Sequence, residues 1–211
     1  MTAKGSTLVV IRGNSGSGKT TAAREIRRRA GRGTALVELD YFRRVVLREH
    51  GGLGADAVAP GFIAMCVRAL LGSGYHVVLE GILHTGGYGT VLRELIAEHA
   101  GPSHIFYLDV AFEETVRRHH GRAEPINVTA AQMRDWYTED DLLGVNGEHV
   151  IPETSTLQQT VARILETSGL AGLAPLTPCP ARCARCAEKR ATADGAPALG
   201  CHNEVTGGEV R

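Results

Sequence analysis

The run Gly13-Asn14-Ser15-Gly16-Ser17-Gly18-Lys19-Thr20 carries the most specific chemical signal in the chain. It matches G-x-x-x-x-G-K-[ST], where glycines let successive backbone N–H groups close around an anion. An ammonium at Lys19 reaches the outer phosphates, and the Thr20 hydroxyl suits Mg²⁺. Thr21 extends the same polar face. Residues 13–21 therefore predict a seat for the phosphate chain of a nucleoside triphosphate. Glu80 in "VVLEGIL" is the next candidate. It could hold the Mg²⁺ shell through water, bind a sugar-like hydroxyl, or serve a purely structural pairing; a buried carboxylate implies some partner. Arg43 and Arg44 in "LDYFRR" could bind an anionic group of an acceptor, steady a moving phosphoryl, or form a solvated helix face. His84 could line an acceptor pocket or lie on polar surface.

These residues need a frame that gathers them. "STLVVIRG", "TALVELD", "YHVVLEG", "HIFYLDV" and "EHVIP" read as strands. Helical spacing follows over Lys19–Arg29, Ala57–Leu71, Tyr88–His99, Phe112–His120, Thr129–Thr138 (with Thr129 as cap) and Ser155–Thr167. Apolar strands alternating with amphipathic helices predict an α/β three-layer sandwich on a five-stranded parallel sheet. Ligands collect at the carboxyl ends of such strands, where Gly13, Asp40, Glu80 and Asp109 fall. Asp40 is expected to end the second strand, beside the first, with capping of a helix from Tyr41 as its structural alternative.

The loop resembles the Walker A loop of P-loop NTPases. Neither an N-K-x-D stretch nor an L-S-G-G-Q-like signature is found, and the third strand ends in a single acid. The chain thus resembles the small P-loop kinases: uridine-kinase-like, gluconate- and shikimate-kinase-like, and chloramphenicol-phosphotransferase-like enzymes. "D-Y-F" at Asp40 looks like the D-x-F stretch of uridine-kinase-like enzymes. That resemblance implies a general base, or a group orienting the acceptor hydroxyl, at Asp40. In "FEETVRRHHGR" the spacing Arg118…Arg122 looks like the R-x-x-x-R of a mobile lid, with Arg117 in reserve. Such arginines would stabilise charge on the transferred group while closure excludes water; the alternative is a basic helix surface paired with Glu113 and Glu114. The lid would span about 117–140, with Trp136 and Tyr137 either packing it or touching the acceptor, packing being the preferred reading.

The resemblance implies an ATP-dependent phosphotransferase using Mg²⁺ and acting on a hydroxyl of a small molecule: nucleoside, sugar or antibiotic-like. Two other readings compete: a regulatory nucleotide-binding ATPase acting through partners, and a polynucleotide end kinase. Lys+Arg and Asp+Glu both number 23, so no bulk basic excess supports the last. No run is long and apolar enough to span a bilayer and no signal segment is visible, so a cytoplasmic location is expected. The kinase domain should occupy 1–170. Residues 171–211 read as a Pro/Gly/Ala/Cys-rich tail, mobile or zinc-organised. Cys183-x-x-Cys186, with Cys179 and Cys201, could supply four thiolates to Zn²⁺, or remain free thiols.

Overall fold

The computed structural model describes residues 5–31, 33–50, 57–121 and 128–171. The five expected strands form: β1 (Leu8–Gly13), β2 (Thr34–Glu38), β3 (His76–Glu80), β4 (Ser103–Asp109) and β5 (Glu148–Pro152). All pair in parallel, in the order β2-β3-β1-β4-β5. Around them lie α1 (Lys19–Ala30), α2 (Leu39–Tyr41), α3 (Ala59–Gly72), α4 (Thr85–Glu98), α5 (Phe112–His120), α6 (Ala130–Trp136) and α7 (Leu157–Thr167).

Alternation along each strand sends side chains to opposite faces. Leu8 and Val10 of β1, Val77 and Leu79 of β3 and Ile105 of β4 pack with α3 and α4. Val9 and Ile11, Val78, Phe106 and Leu108 pack instead with α1 and α7. These two cores make the three layers predicted from the apolar strands. Both Thr129 and Thr156 close capping boxes, with Gln132 and Gln159 respectively, which fixes where α6 and α7 begin.

The second strand departs from expectation. It ends at Glu38, not Asp40, and β3 separates it from β1. Leu39, 2% exposed, turns into the core against Gly81, where a Cβ would lie 2.5 Å from the Leu39 Cβ. That inward turn starts α2, which passes into a π-helical stretch, Phe42–Val46. Asp40 consequently sits inside a helical turn whose cap is Glu38, and it caps nothing itself.

Candidate active site

The phosphate loop joins β1 to α1 at the carboxyl edge of the sheet. Gly13, Gly16 and Gly18 have φ of 141°, 82° and 100°, which side-chain-bearing residues rarely adopt. Close packing adds a second constraint at Gly16, where a Cβ would lie 2.5 Å from the Thr115 carbonyl oxygen of α5. The buried Lys19 ammonium donates to the Asn14 carbonyl at 2.7 Å and to Ser17 Oγ at 3.3 Å, so the loop curls around its own cation. The Asn14 side chain faces away from that centre. It donates to the Thr138 carbonyl at 2.8 Å and accepts from the Thr138 N–H at 3.0 Å, tying the loop to the segment after α6. Of Asn14 itself, only the backbone is left to meet a phosphate. Ser15 is half-buried, while Gly18 and Thr21 are exposed at the mouth.

Thr20 and Glu80 meet at this edge. The Thr20 hydroxyl lies 3.1 and 3.2 Å from the two Glu80 carboxylate oxygens, to which it donates. Glu80 is 3% exposed, and burial pushes its carboxyl up to about 7, with Lys19 and the Thr20 bond pulling the other way. Glu38 and Asp40 add like charge. A hydroxyl beside a buried carboxylate in excess of local cations is a donor set that fits a hard divalent ion such as Mg²⁺. Because burial raises this pKa, the folded state binds a proton more tightly than the unfolded chain. Glu80 therefore opposes folding increasingly as pH rises from about 4.5 to about 7. Glu80→Gln is expected to raise the stability of the ligand-free protein at pH 8 by on the order of 2–3 kcal/mol, with little gain at pH 5. Paired thermal melts of wild type and variant at the two pH values check this. An equal gain at both would assign the effect to packing.

The acceptor-side candidates lie next to this centre. Asp40 is 62% exposed at its side chain and stands 3.8 Å from Arg44 across one helical turn. Arg43, half-buried, and Asp40 both act electrostatically on the Tyr88 phenol, so the three are neighbours. Tyr88 is 3% exposed, and its hydroxyl has no hydrogen-bond partner among the described residues. Burial pushes that phenol up to about 12. No sequence pattern marks it, since an aromatic at the start of an amphipathic helix reads as core.

Arg118 reaches the loop from α5. It donates to the Ser17 carbonyl at 3.1 Å and to the Glu153 carbonyl at 2.8 Å, and its Nε pairs with Glu114 at 2.6 Å. Arg117 points away and pairs with Glu114 on the surface. Arg122 lies outside the described residues, as do Cys179, Cys183, Cys186 and Cys201. Among the described residues no group of three or more His, Cys, Asp or Glu is arranged to hold a metal. Trp136 is 38% exposed, whereas Tyr137 donates to the Val110 carbonyl at 3.0 Å and packs edge-on against Phe112.

Beneath the loop lies a network that sequence reasoning missed. Arg12, the residue before Gly13, is 0% exposed. Its guanidinium donates to Asp141 at 2.8 Å, to Glu148 at 3.0 Å, and twice to the Leu83 carbonyl at 3.1 and 3.2 Å. Asp141 also accepts from the Thr85 N–H and hydroxyl, and lies 3.5 Å from His84 Nδ1. An arginine in an apolar strand run was the one available signal.

A family model described as an AAA domain, AAA_33, matches residues 8–139. No curated protein sequence matches the chain significantly. Among solved structures, a sugar kinase from Janibacter sp. HTCC2649 is similar at 21% identity and a TM-score of 0.57, covering 80% of this chain and 99% of that one. The Mycobacterium tuberculosis APS kinase CysC, solved with AMPPNP and APS, aligns at 15% identity and a TM-score of 0.58, covering 80% and 98%. The Deinococcus radiodurans tunicamycin resistance protein aligns at 18% and 0.56, covering 82% and 99%. At these identities the likeness is one of fold: the five-stranded parallel sheet with its phosphate loop.

Proposed function

This chain belongs to the AAA_33 family of AAA domains, and from that premise we propose that it is a nucleotide-dependent phosphotransferase. It moves the γ-phosphoryl of ATP to a hydroxyl of a small molecule. The observation that carries this reading is the meeting of Lys19, Thr20 and Glu80 at the carboxyl ends of β1 and β3. It is supported by a shared fold with proteins described as a sugar kinase and an APS kinase.

The loop backbone from Gly13 to Lys19 holds the phosphate chain, and Lys19 neutralises charge on the outer phosphates. Thr20 and Glu80 would hold Mg²⁺, which when bound offsets charge on the β and γ oxygens. Arg118, fixed between Ser17 and Glu153, stands at the loop to stabilise charge that develops on the transferred group. Asp40, at the open side, orients the acceptor hydroxyl and takes its proton as the new P–O bond forms. Positioning is the larger part of such catalysis, because the phosphoryl transition state asks little covalent chemistry of the protein.

The test is a screen by mass for a gain of one phosphate, using ATP with nucleosides, hexoses, aminocyclitols and oligonucleotides. Transfer to one small-molecule class supports the proposal. ATP hydrolysis that no acceptor diverts would favour a regulatory ATPase, and transfer to oligonucleotides alone an end kinase. With a competent acceptor, Asp40→Asn is expected to lower kcat about 10²-fold while nucleotide binding persists. Near-normal turnover in that variant would remove Asp40 from the proton step.

A further inference from the structure

His84 is mounted with more care than a loop histidine needs. It follows Leu83, a buried residue held at φ 45°, and it faces Asp141, which follows Asp140 at φ 47°. Positive φ is costly for a side chain such as leucine and persists only where surrounding bonds over-determine it. Those bonds are present: two donors of the buried Arg12 guanidinium grip the Leu83 carbonyl, and a third grips Asp141. Thr85 holds Asp141 from the other side through its N–H and hydroxyl. Asp141 is 9% exposed, and Arg12 also pairs with the carboxylate of Glu148.

We infer that the His84–Asp141 pair is a recognition device for the acceptor, in which His84 Nε2 accepts a hydrogen bond from a hydroxyl or amine of the bound molecule. The inference rests on the phosphotransfer reading for its substrate. A carboxylate facing one ring nitrogen selects the tautomer with that nitrogen protonated, leaving the other as an acceptor. Asp141 Oδ2 lies 3.5 Å from His84 Nδ1, a charge contact that favours the neutral tautomer with its proton on Nδ1 and its lone pair on Nε2. Bonds of this kind are commonly long in ligand-free proteins and tighten in the complex.

Placement fits the role. His84 comes four residues after Glu80, in the loop that leaves the carboxyl end of β3, and its side chain is 33% exposed. Tyr88, one helical turn further along α4, has a buried hydroxyl without a partner among the described residues and neighbours Asp40 and Arg43. An orphaned buried hydroxyl costs free energy until something bonds it. That hydroxyl is buried, so it lies behind the Asp40 side of the site and does not itself form the surface a ligand would meet. The chemical class that matches an accessible imidazole lone pair is a compound with a hydroxyl or amino group close to the reacting oxygen.

Two measurements test this on the full chain. Imidazole ¹⁵N NMR of the wild type should show the neutral His84 ring carrying its proton on Nδ1, with Nε2 bare; the opposite tautomer overturns the inference whatever the reaction proves to be. The second measurement uses the panel of nucleosides, hexoses and aminocyclitols. His84→Gln places an oxygen near Nε2, whereas His84→Asn reproduces only the Nδ1 end. We expect His84→Asn to raise the acceptor KM about 10-fold, roughly the worth of one hydrogen bond, with His84→Gln restoring much of it. Equal KM values in wild type and His84→Asn, or better rescue by asparagine than by glutamine, would overturn it. If the wild type transfers phosphate to nothing in the panel, the phosphotransfer reading fails, and the NMR result still decides the pair.

Discussion

Lys19→Ala is expected to lower phosphoryl transfer by about 10³-fold, the range seen when one donor is taken from a preorganised anion-stabilising site. In the free protein the ammonium is held by the Asn14 carbonyl and Ser17 Oγ, so it is already at the centre of the loop when a nucleotide arrives. Alanine removes that charge and leaves the Asn14 carbonyl without this donor, at a cost of about 1 kcal/mol in stability. A steady-state assay and a thermal melt separate the two effects: activity should collapse while Tm falls only a few degrees. A second consequence falls on Glu80. Lys19 is the largest influence holding its carboxyl down against burial, so the alanine variant should push that carboxyl above its present value of about 7. Lys19→Arg keeps the charge, but a planar fork cannot copy a point charge between a carbonyl and a hydroxyl. Its rate should lie well below wild type. Wild-type rates in Lys19→Ala would show that the phosphates bind elsewhere.

The parts legible in the sequence were those with a local pattern. The loop carries its own spacing, and β1 and α1 flank it where strand and helix periodicity place them. The sheet was legible because its strands are apolar on both faces, which only helices on both sides can satisfy. Glu80 emerged as an acid ending such a strand, and the structure gives it Thr20 as partner. What was not legible depends on contacts across long sequence separations. The strand order that puts β3 between β1 and β2 follows from crossovers, not from any one strand. The end of β2 at Glu38 depends on Leu39 finding space at Gly81, a pairing no local pattern announces. Asn14 looked like a phosphate-loop residue, yet its side chain ties the loop to Thr138. Arg118 was read from its spacing to Arg122, with pairing to Glu114 as the alternative; it does pair with Glu114, but its other partners, Ser17 and Glu153, are far away in sequence.

Arg12 is the clearest case of hidden information, and its removal carries the largest expected loss of stability. Arg12→Met would leave Asp141 and Glu148 buried without their shared cation. Removing one member of a buried ion pair costs about 3–5 kcal/mol because the remaining charge is uncompensated. Against a typical domain stability of about 5–15 kcal/mol, that is a large fraction, and Tm should drop by on the order of 10 °C. Yet the network as a whole need not stabilise the fold. Desolvating one guanidinium and two carboxylates consumes most of what their attraction returns, so the triple variant Arg12→Met, Asp141→Asn, Glu148→Gln should recover much of the loss. Thermal melts of the single and triple variants distinguish the cases. A triple variant no more stable than Arg12→Met would make the ions net stabilising, whereas recovery would mean they are kept for something other than stability. On the reading proposed above, that something is acceptor recognition: the guanidinium bonds the Leu83 carbonyl, where φ is positive, and bonds Asp141, which lies 3.5 Å from His84. A triple variant that regains its Tm but binds acceptor poorly would separate the network's part in stability from its part in holding His84.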